Sequence, residues 1–260
     1  MRILISSQAS KRYPWQLNGK EGGKMKVERV LAVGAHPDDV ELGCGGTLAL
    51  YRRMGADVVI SSVSCGGKGS KELSKEETIK VRREESERAA GVIGATYICL
   101  GLMDSEIFED LKNRAKMVEL IRKVRPNLII THSPSDYHAD HRTTSVLVSH
   151  ASYIATSFKF KTQSPSLPWV PPVYYMDNYL GVDFLPEEYV DITDVVDTKK
   201  EMVLQHKSQF PHLKERSGED ILEDMLILAR LRGRQSGVKF AEGFRFFHSW
   251  PHVRTYRLLP

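Results

Sequence analysis

Two short stretches of the sequence collect histidine and aspartate side chains. The first, AHPDDVELGCGG, begins at Ala35 and contains His36, Asp38 and Asp39. The second is THSPSDYHADHRTT, whose histidines and aspartates are His132, Asp136, His138, Asp140 and His141. Imidazole nitrogens and carboxylate oxygens bind divalent metals, and the same groups act as general acids and bases. The two stretches therefore predict a metal site or an acid–base site, the alternative for the second being a polar loop.

The adjacent carboxylates of Asp38 and Asp39 need separate roles, because two ionised carboxylates side by side repel each other. A histidine and an aspartate three positions apart can bind one cation when the chain turns between them, as Pro37 favours. Asp39 would then bind the metal with His36, leaving Asp38 to take a proton from a water on the metal. The cation and the N-terminus of the following helix offset the repulsion. The alternative is a turn that only caps that helix.

The segments around these motifs alternate short apolar runs with longer amphipathic ones. Strands are predicted at RVLAVGA, DVVISSVS, TYICLG and NLIITH, each followed by a helical pattern. One helix begins at Ser74 with Glu77 three positions later, a capping box, and ends near Gly91 or Gly94. These units predict an α/β fold, a Rossmann-like, doubly wound, mostly parallel sheet of order 3-2-1-4-5 with helices on both faces. The two motifs follow the first and fourth strands, which meet where such folds bind ligands.

One main domain is expected over residues 25–260, with residues 164–260 as a C-terminal cap or sheet extension. The segment PSLPWVPPVYYMD, with four prolines, predicts a loop that leads to an edge strand. Residues 1–24 are interpreted as an N-terminal extension. Translation is suggested to begin at Met25, because Lys-Glu-Gly-Gly just before it can be encoded by a purine-rich run resembling a bacterial ribosome-binding site.

The composition argues against several classes of protein. Hydrophobic residues make up 41% and charged residues 27%, as in globular proteins, and no apolar run is long enough to cross a bilayer. The net charge of +4 comes from residues 1–24, so the rest is formally neutral and gives no case for nucleic-acid binding. Cys44, Cys65 and Cys99 form no CxxC pair, which argues against a disulfide framework or a thiolate zinc site and favours a cytoplasmic location.

AHPDDVELGCGGTLA together with HADH closely resembles the LmbE-like or PIG-L family of metal-dependent N-deacetylases. That family includes the enzymes that deacetylate N-acetylglucosaminyl intermediates in bacillithiol and mycothiol synthesis. The resemblance runs from about Val27 to Phe246 and also includes RREESERAAGVIG, YVDIT and HKSQ. Ala139, where many members have proline, and Ile93, where leucine is common, depart from the family pattern away from the reacting atoms.

The resemblance implies roles for individual side chains. The metal, expected to be zinc, would be held by His36, Asp39 and His141. Asp38 would be the general base. His138, oriented by Asp140, would be the charged partner of the tetrahedral intermediate.

Arg82 matches a family arginine that contacts substrate or product, the alternative being a helix-surface charge that pairs with Glu85 or Ser86. His132 and His206 are expected to be structural or to support the ligands. Asp104 follows the third strand, where it could touch substrate.

The implied reaction is zinc-dependent removal of the acetyl group from an N-acetylglucosamine-type amino sugar or its glycoside, giving acetate and a free amine. The same ligands would also accept iron, cobalt or manganese. The alternatives are hydrolysis of another amide or ester, and a non-catalytic, metal-containing sugar-binding protein. The expected partner is a small-molecule substrate, with no nucleic acid or membrane, and the resemblance implies a homo-oligomer, trimer or hexamer.

Overall fold

The computed structural model describes residues 27–211, 218, 220–252 and 258–260. The strands are β1 (Arg29–Gly34), β2 (Asp57–Ser64), β3 (Thr96–Leu102), β4 (Leu128–Thr131), β5 (Val173–Met176), β6 (Glu188–Asp191) and β7 (Ala241–Phe246). The helices are α1 (Asp39–Arg53), α2 (Lys75–Val92), α3 (Leu111–Val124), α4 (Ala139–Ile154), α5 (Val196–Val203) and α6 (Ile221–Ser236), with a 3-10 turn at Thr193–Val195. The strands form one sheet of order β3-β2-β1-β4-β5-β7-β6.

The sheet confirms the predicted α/β fold. Strands β1 to β5 are parallel to one another, in the expected order 3-2-1-4-5. Residues 164–260, predicted to be an extension, contain β5 itself as well as β7, which pairs antiparallel with β5, and β6, which pairs antiparallel with β7. No helix among the described residues is long and apolar enough to span a bilayer. The expectations for residues 1–24 and Met25 lie outside the described residues.

The expected edge strand after the prolines is wrong, because β5 lies inside the sheet between β4 and β7. Pro171 and Pro172 precede the strand, which starts at Val173, so the ladder of β5 keeps its N–H donors. The Pro172 carbonyl even accepts a hydrogen bond from the N–H of Ile129 in β4, at 2.9 Å. A proline just outside a strand is thus compatible with an interior position. The sheet instead ends at β3 and β6.

The core lies on both faces of the sheet, as a doubly wound fold requires. Alternate residues of β1 point to opposite faces, so Val30 and Ala32 belong to one buried cluster and Leu31 and Val33 to the other. The first cluster is completed mainly from α1 and α5, including Leu48, Tyr51 and Met202, and the second from α3 and α4, including Met117, Ile121 and Leu147. The strand that ends at the first motif is therefore anchored on both sides.

Helix α2 begins as predicted. Ser74 is its N-cap, its hydroxyl accepts the Glu77 N–H, and the Glu77 carboxylate accepts the Ser74 N–H. The chain leaves the helix through Gly94, whose φ of +65° is a conformation that glycine adopts without strain.

Helix α1, which follows the first motif, is kinked at Cys44 and is held by a buried carboxylate. Glu242 in β7 accepts hydrogen bonds from the N–H groups of Gly46 and Thr47, at 2.9 and 2.8 Å. The Lys199 ammonium in α5 lies 2.6 Å from the same carboxylate. Glu242 thus supplies the partners for donors that the kink frees, and it ties the extension to the helix of the site.

We expect Glu242→Gln to lower the free energy of unfolding by about 3–5 kcal/mol, because it leaves the buried Lys199 ammonium without its counter-ion. The measurement is urea denaturation. Adding Lys199→Met to the same variant should recover part of the loss, since no buried charge then remains. Asp197→Asn is the matched control, because this exposed carboxylate pairs with Lys200 and its loss should change stability by less than about 1 kcal/mol. Equal losses for Glu242→Gln and Asp197→Asn would contradict this account.

A second buried titratable group lies far from the two motifs. His252 is buried, and its Nε2 is 2.7 Å from the Ser152 hydroxyl of α4. Burial lowers the pKa of His252 to about 4, from an ordinary value of 6.5. In the unfolded chain this histidine therefore binds a proton as the pH falls through about 6.5, whereas in the folded chain it binds one only near pH 4.

Stability should thus fall as the pH drops from about 6.5 to about 4, and be fully restored above that window. His252→Gln keeps a hydrogen-bonding side chain but does not titrate. We expect the free energy of unfolding of this variant to fall by about 2 kcal/mol less than that of the native chain over this pH range. The measurement is the free energy of unfolding at several pH values. An unchanged slope in the variant would rule out His252 as its source.

Candidate metal centre

The ends of β1 and β4 bring the two motifs together. These strands are parallel neighbours, with Val33 opposite Thr131, so the residues that follow them emerge at the same edge. His36 and Asp39 follow β1, and His141 lies in the first turn of α4, just after β4. The rings of His36 and His141, over a hundred positions apart in the sequence, have centroids 5.4 Å apart. The two motifs, distant in sequence, thus lie close together because β1 and β4 are neighbouring strands.

The Asp39 carboxylate lies between these two histidines. Its Oδ2 is 3.4 Å from His36 Nδ1, and its Oδ1 is 3.4 Å from His141 Nε2. Ligand atoms around a tetrahedral zinc with bonds of about 2.0–2.1 Å are separated by about 3.3 Å. One nitrogen each of His36 and His141 also lie within 4.8 Å of each other. The two contacts of Asp39 use different oxygens. Among the described residues, the groups whose ligand atoms all lie within 4.8 Å of one another are His36, His138 and His141, and Asp39, His132 and His141. The predicted set draws on both groups and stays a prediction.

The charges of this cluster also suit a cation. Burial works to lower the pKa of His36, but Asp39, Asp140 and Asp38 outweigh it and raise this pKa to about 10. In the same way burial is outweighed at His141, where Asp39 and Asp136 raise the pKa to about 9. These carboxylates therefore create a local excess of negative potential that attracts positive charge. A divalent ion supplies that charge while binding the neutral imidazoles.

His132 contacts the same carboxylate from behind. Its ring stacks on that of His141, with centroids 3.9 Å apart, and a group formed by Asp39, His132 and His141 has the spacing of a second ligand set. However, His132 Nε2 is 3.1 Å from Asp39 Oδ2 and 3.0 Å from the backbone nitrogen of Ala35. If Nε2 carries the proton it donates to Asp39, and if it does not it accepts the N–H of Ala35, so this nitrogen has a protein partner in either tautomer. The contact orients Asp39, in line with the supporting role expected for His132.

His138 lies on the open side of the cluster, with its ring centroid 5.0 Å from that of His36 and 4.7 Å from that of His141. Its Nδ1 accepts the backbone N–H of Asp140 at 3.2 Å, so a neutral His138 carries its proton on Nε2. Burial lowers the pKa of His138, and the charges of His141 and His36 lower it further. The charged role that the resemblance implies for His138 stays a prediction. His36, His138 and His141 form the other of the two groups with ligand spacing among the described residues.

The carboxylates of Asp140 and Asp136 each hold one histidine of the cluster. Asp140 Oδ2 lies 2.9 Å from His36 Nε2, and it also accepts the N–H of Ser105 at 2.7 Å. Asp140 therefore orients His36 with its carboxylate and His138 only through its backbone N–H. Asp136 Oδ1 lies 3.1 Å from His141 Nδ1. Such outer carboxylates fix the tautomer and orientation of metal-binding histidines.

Asp38 stands apart from the predicted ligands, and its partner is a cation. Its Oδ2 is 3.0 Å from Arg82 Nη2, which also donates to the carbonyl of Pro37. Asp38 has a φ of +104°, a strained conformation for a residue with a side chain, as found at functional sites. Burial raises the pKa of Asp38, although Arg82 opposes the shift. A carboxylate beside the candidate ligands that is not itself one of them is suited to accept a proton.

Arg82 is buried, so the alternative of a helix-surface charge is excluded. The two residues proposed as its surface partners contact other groups. Glu85 accepts the N–H and the hydroxyl of Ser208, at 2.8 and 2.7 Å, and the Ser86 hydroxyl donates to the backbone carbonyl of Arg82. Arg82 therefore reaches across from α2 to the turn that carries Asp38.

The loop after β2 fits closely around Arg82. Gly66 has a φ of +72°, and a Cβ at this position would lie 2.5 Å from Arg82 Cδ, so glycine is required. The Asp104 carboxylate holds the loop by accepting the N–H groups of Gly66 and Lys68, at 3.0 and 2.8 Å. Asp104, a candidate for substrate contact, is thus engaged with the loop backbone.

His206 and Cys44 are buried behind the cluster. His206 Nε2 lies 3.6 Å from Glu41 Oε1, which raises the pKa of His206 although burial opposes the shift. Burial raises the pKa of the Cys44 thiol, which therefore stays protonated. Neither residue belongs to a group with ligand spacing among the described residues.

Sequence and structure comparisons identify relatives of the chain. A family model described as PIG-L, GlcNAc-PI de-N-acetylase, matches residues 31–152. The diacetylchitobiose deacetylase of Thermococcus kodakarensis is 32% identical over 85% of this chain and 83% of its own length. The 4-oxalmesaconate hydratase of Pseudomonas putida is 28% identical over 71% of this chain and 75% of its own. The solved structure of N,N'-diacetylchitobiose deacetylase from Pyrococcus horikoshii, in complex with the inhibitor MPG, is 26% identical, has a TM-score of 0.74 and covers 85% and 84% of the two chains.

The match to the family model covers both strands and both motifs of the centre, from within β1 to near the end of α4. The Thermococcus relative extends the similarity into the C-terminal extension. The family expected from the sequence is thereby confirmed, and the chain belongs to the PIG-L, or LmbE-like, family of de-N-acetylases.

Proposed function

We propose that this protein is a zinc-dependent N-deacetylase that removes the acetyl group from an N-acetylglucosamine-type amino sugar or its glycoside. The observation that carries the proposal is the separation of two aspartates. Asp39 lies between the candidate ligands, whereas Asp38, next to it in the chain, pairs with Arg82 instead. A hydrolase needs a base beside its metal that is not itself a metal ligand, and a metal-containing sugar-binding protein does not.

The proposed ligands are His36, Asp39 and His141, and a zinc ion bound to them would lower the pKa of a water and polarise the acetamide carbonyl. The protein supplies the proton transfers. Asp38 accepts the proton of the attacking water, because its carboxylate pairs with Arg82 and is not one of the proposed ligands.

His138 is the proposed donor to the carbonyl oxygen, which gains negative charge when the water oxygen bonds to the carbonyl carbon. Its Nε2–H is free to donate, since Nδ1 is used as an acceptor. The Asp38 carboxylic acid then returns its proton to the nitrogen as the carbon–nitrogen bond breaks. Acetate and a free amine are the products.

The test is an acetate-release screen on N-acetylglucosamine, its glycosides and chitooligosaccharides, the last chosen because of the diacetylchitobiose deacetylase relatives. We expect release from at least one of them, loss of release after chelation, and recovery with zinc. Recovery with iron, cobalt or manganese but not zinc would correct the metal. No release from any N-acetyl sugar, with metal bound, would overturn the proposal.

The hydratase relative makes a second candidate, because a protein that is 28% identical over 71% of this chain is named 4-oxalmesaconate hydratase. Both activities would use a base to activate water. Hydration of 4-oxalmesaconate, followed by loss of its ultraviolet absorbance, separates the two. An amide or ester hydrolase with another substrate would instead release a different acid in the same screen.

Three further expectations from the sequence belong to this proposal. The substrate is a small molecule, and neither nucleic acid nor membrane is required as a partner. The protein acts in the cytoplasm, as its unpaired cysteine pattern favours. It assembles as a trimer or hexamer, which sedimentation velocity of the purified chain would test.

A further inference from the structure

Two thiols from different elements meet beside the proposed active site. Cys65 is the first residue after β2, and Cys99 lies in β3, the neighbouring parallel strand. Their Sγ atoms are 2.8 Å apart, and both cysteines are free. The side chains therefore already point at each other, and only a small approach separates them from the S–S bond length of about 2.05 Å.

The pair is reachable and chemically suited to thiol exchange. Both residues are partly exposed, and β3 is an edge strand of the sheet, whereas Cys44 is fully buried. The N–H of Gly101 donates to Cys99 Sγ at 3.4 Å, and the contact between the two thiols lowers the pKa of Cys99 to about 6 and raises that of Cys65. Cys99 therefore supplies the thiolate, which is the form of cysteine that attacks a disulfide.

We propose that Cys65 and Cys99 are a redox-active pair that forms a reversible disulfide with a small-molecule disulfide such as oxidised glutathione as oxidant. The Cys99 thiolate attacks one glutathione sulfur, the glutathione S–S bond breaks, and one glutathione leaves as a thiolate. Cys65 then loses its proton, attacks Cys99 Sγ and releases the second glutathione. Two protein thiols are oxidised to one disulfide, and one oxidised glutathione is reduced to two thiols.

The cross-link would stiffen the segment that surrounds Arg82. It closes a ring that contains the whole of α2, the helix of Arg82, and it starts one residue before Gly66, which lies against that side chain. Asp104 already joins the same loop to the chain after β3. The disulfide adds a covalent link between the same loop and β3 itself, so it should stabilise the fold rather than distort the centre.

The experiment is native incubation of the full chain with excess oxidised glutathione, followed by alkylation, intact mass and peptide mapping. We expect the mass to fall by two hydrogen atoms, one linked peptide pair containing Cys65 and Cys99, and full reversal by dithiothreitol. The melting temperature of the oxidised form should rise by roughly 5 °C. These readouts are independent of catalysis, so failure of the deacetylase assignment would leave them unchanged.

Cys44→Ser is the matched control, and it should form the cross-link as the native chain does. Cys65→Ser should instead retain one glutathione on Cys99, because no second thiol is present to release it. Cys99→Ser should lose both the mass change and the rise in melting temperature. A native chain that keeps its reduced mass, or that accumulates a stable glutathione adduct with no linked peptide, would overturn the proposal.

Discussion

Asp38→Asn is expected to lower kcat for acetate release by about 100- to 10,000-fold, which is the range attributed to a positioned general base. An amide cannot accept the proton of the attacking water. The variant should otherwise be conservative, because asparagine tolerates the positive φ at this position better than most residues and its oxygen can still accept from Arg82. The bound metal should therefore remain, since Asp38 is not among the proposed ligands.

The measurement combines kcat with metal content and melting temperature of the same preparation. Asp197→Asn, an aspartate exposed on α5, is the control for the chemical change alone. A variant with native metal content and native turnover would remove Asp38 from the mechanism, and with it the reason for preferring a hydrolase over a binding protein. Loss of the metal together with activity would instead make Asp38 a ligand.

The sheet and the meeting of the two motifs could be predicted because both rest on local patterns. The strands and helices alternate in periodicity, and parallel neighbours must release their C-terminal residues at one edge. The spacing of Ser74 and Glu77 likewise predicts the start of α2, because the capping box is a contact between residues close in sequence. Such features need only a few neighbouring residues to be recognised.

The partners of the histidines could not be assigned in this way, since they depend on side-chain directions across the sheet. Asp140 is two residues from His138, yet its carboxylate contacts His36. Asp136 was visible as a carboxylate in the second motif, but nothing in the spacing shows that it holds His141 rather than capping a turn. The position of β5 was misjudged for a related reason, because prolines before a strand and prolines within it look alike until the register is known.

The contact between Cys65 and Cys99 could not be predicted from the spacing of the cysteines either. They are far apart in sequence and form no CxxC motif, so counting argues against any pairing. Cys99 lies opposite Ser62 in the pairing of β2 and β3, so its contact with Cys65 runs past a register shift between Ser62 and Ser64. A local irregularity of this kind leaves no compositional signal.

His141→Ala is expected to reduce bound metal from about one ion per chain to nearly none, and activity with it, because two remaining ligands do not hold a catalytic zinc. His36→Ala should behave in the same way. His132→Asn should keep its metal with roughly 10- to 100-fold weaker affinity, the usual effect of losing an outer partner of a ligand. Metal content after gel filtration, and affinity from competition with a chelator, distinguish these cases.

His138→Ala decides between the two remaining ligand sets. If His138 donates to the carbonyl oxygen, the variant should retain its metal and lose about 100- to 1000-fold in kcat, as other enzymes do when one such donor is removed. If His138 is itself a ligand, the variant should lose metal as His141→Ala does, and the assignment of His138 as the donor to the carbonyl oxygen would be wrong. The answer rests on geometry that the cluster already has, in which Asp39 lies 3.4 Å from both His36 and His141 whereas His138 faces them from the open side.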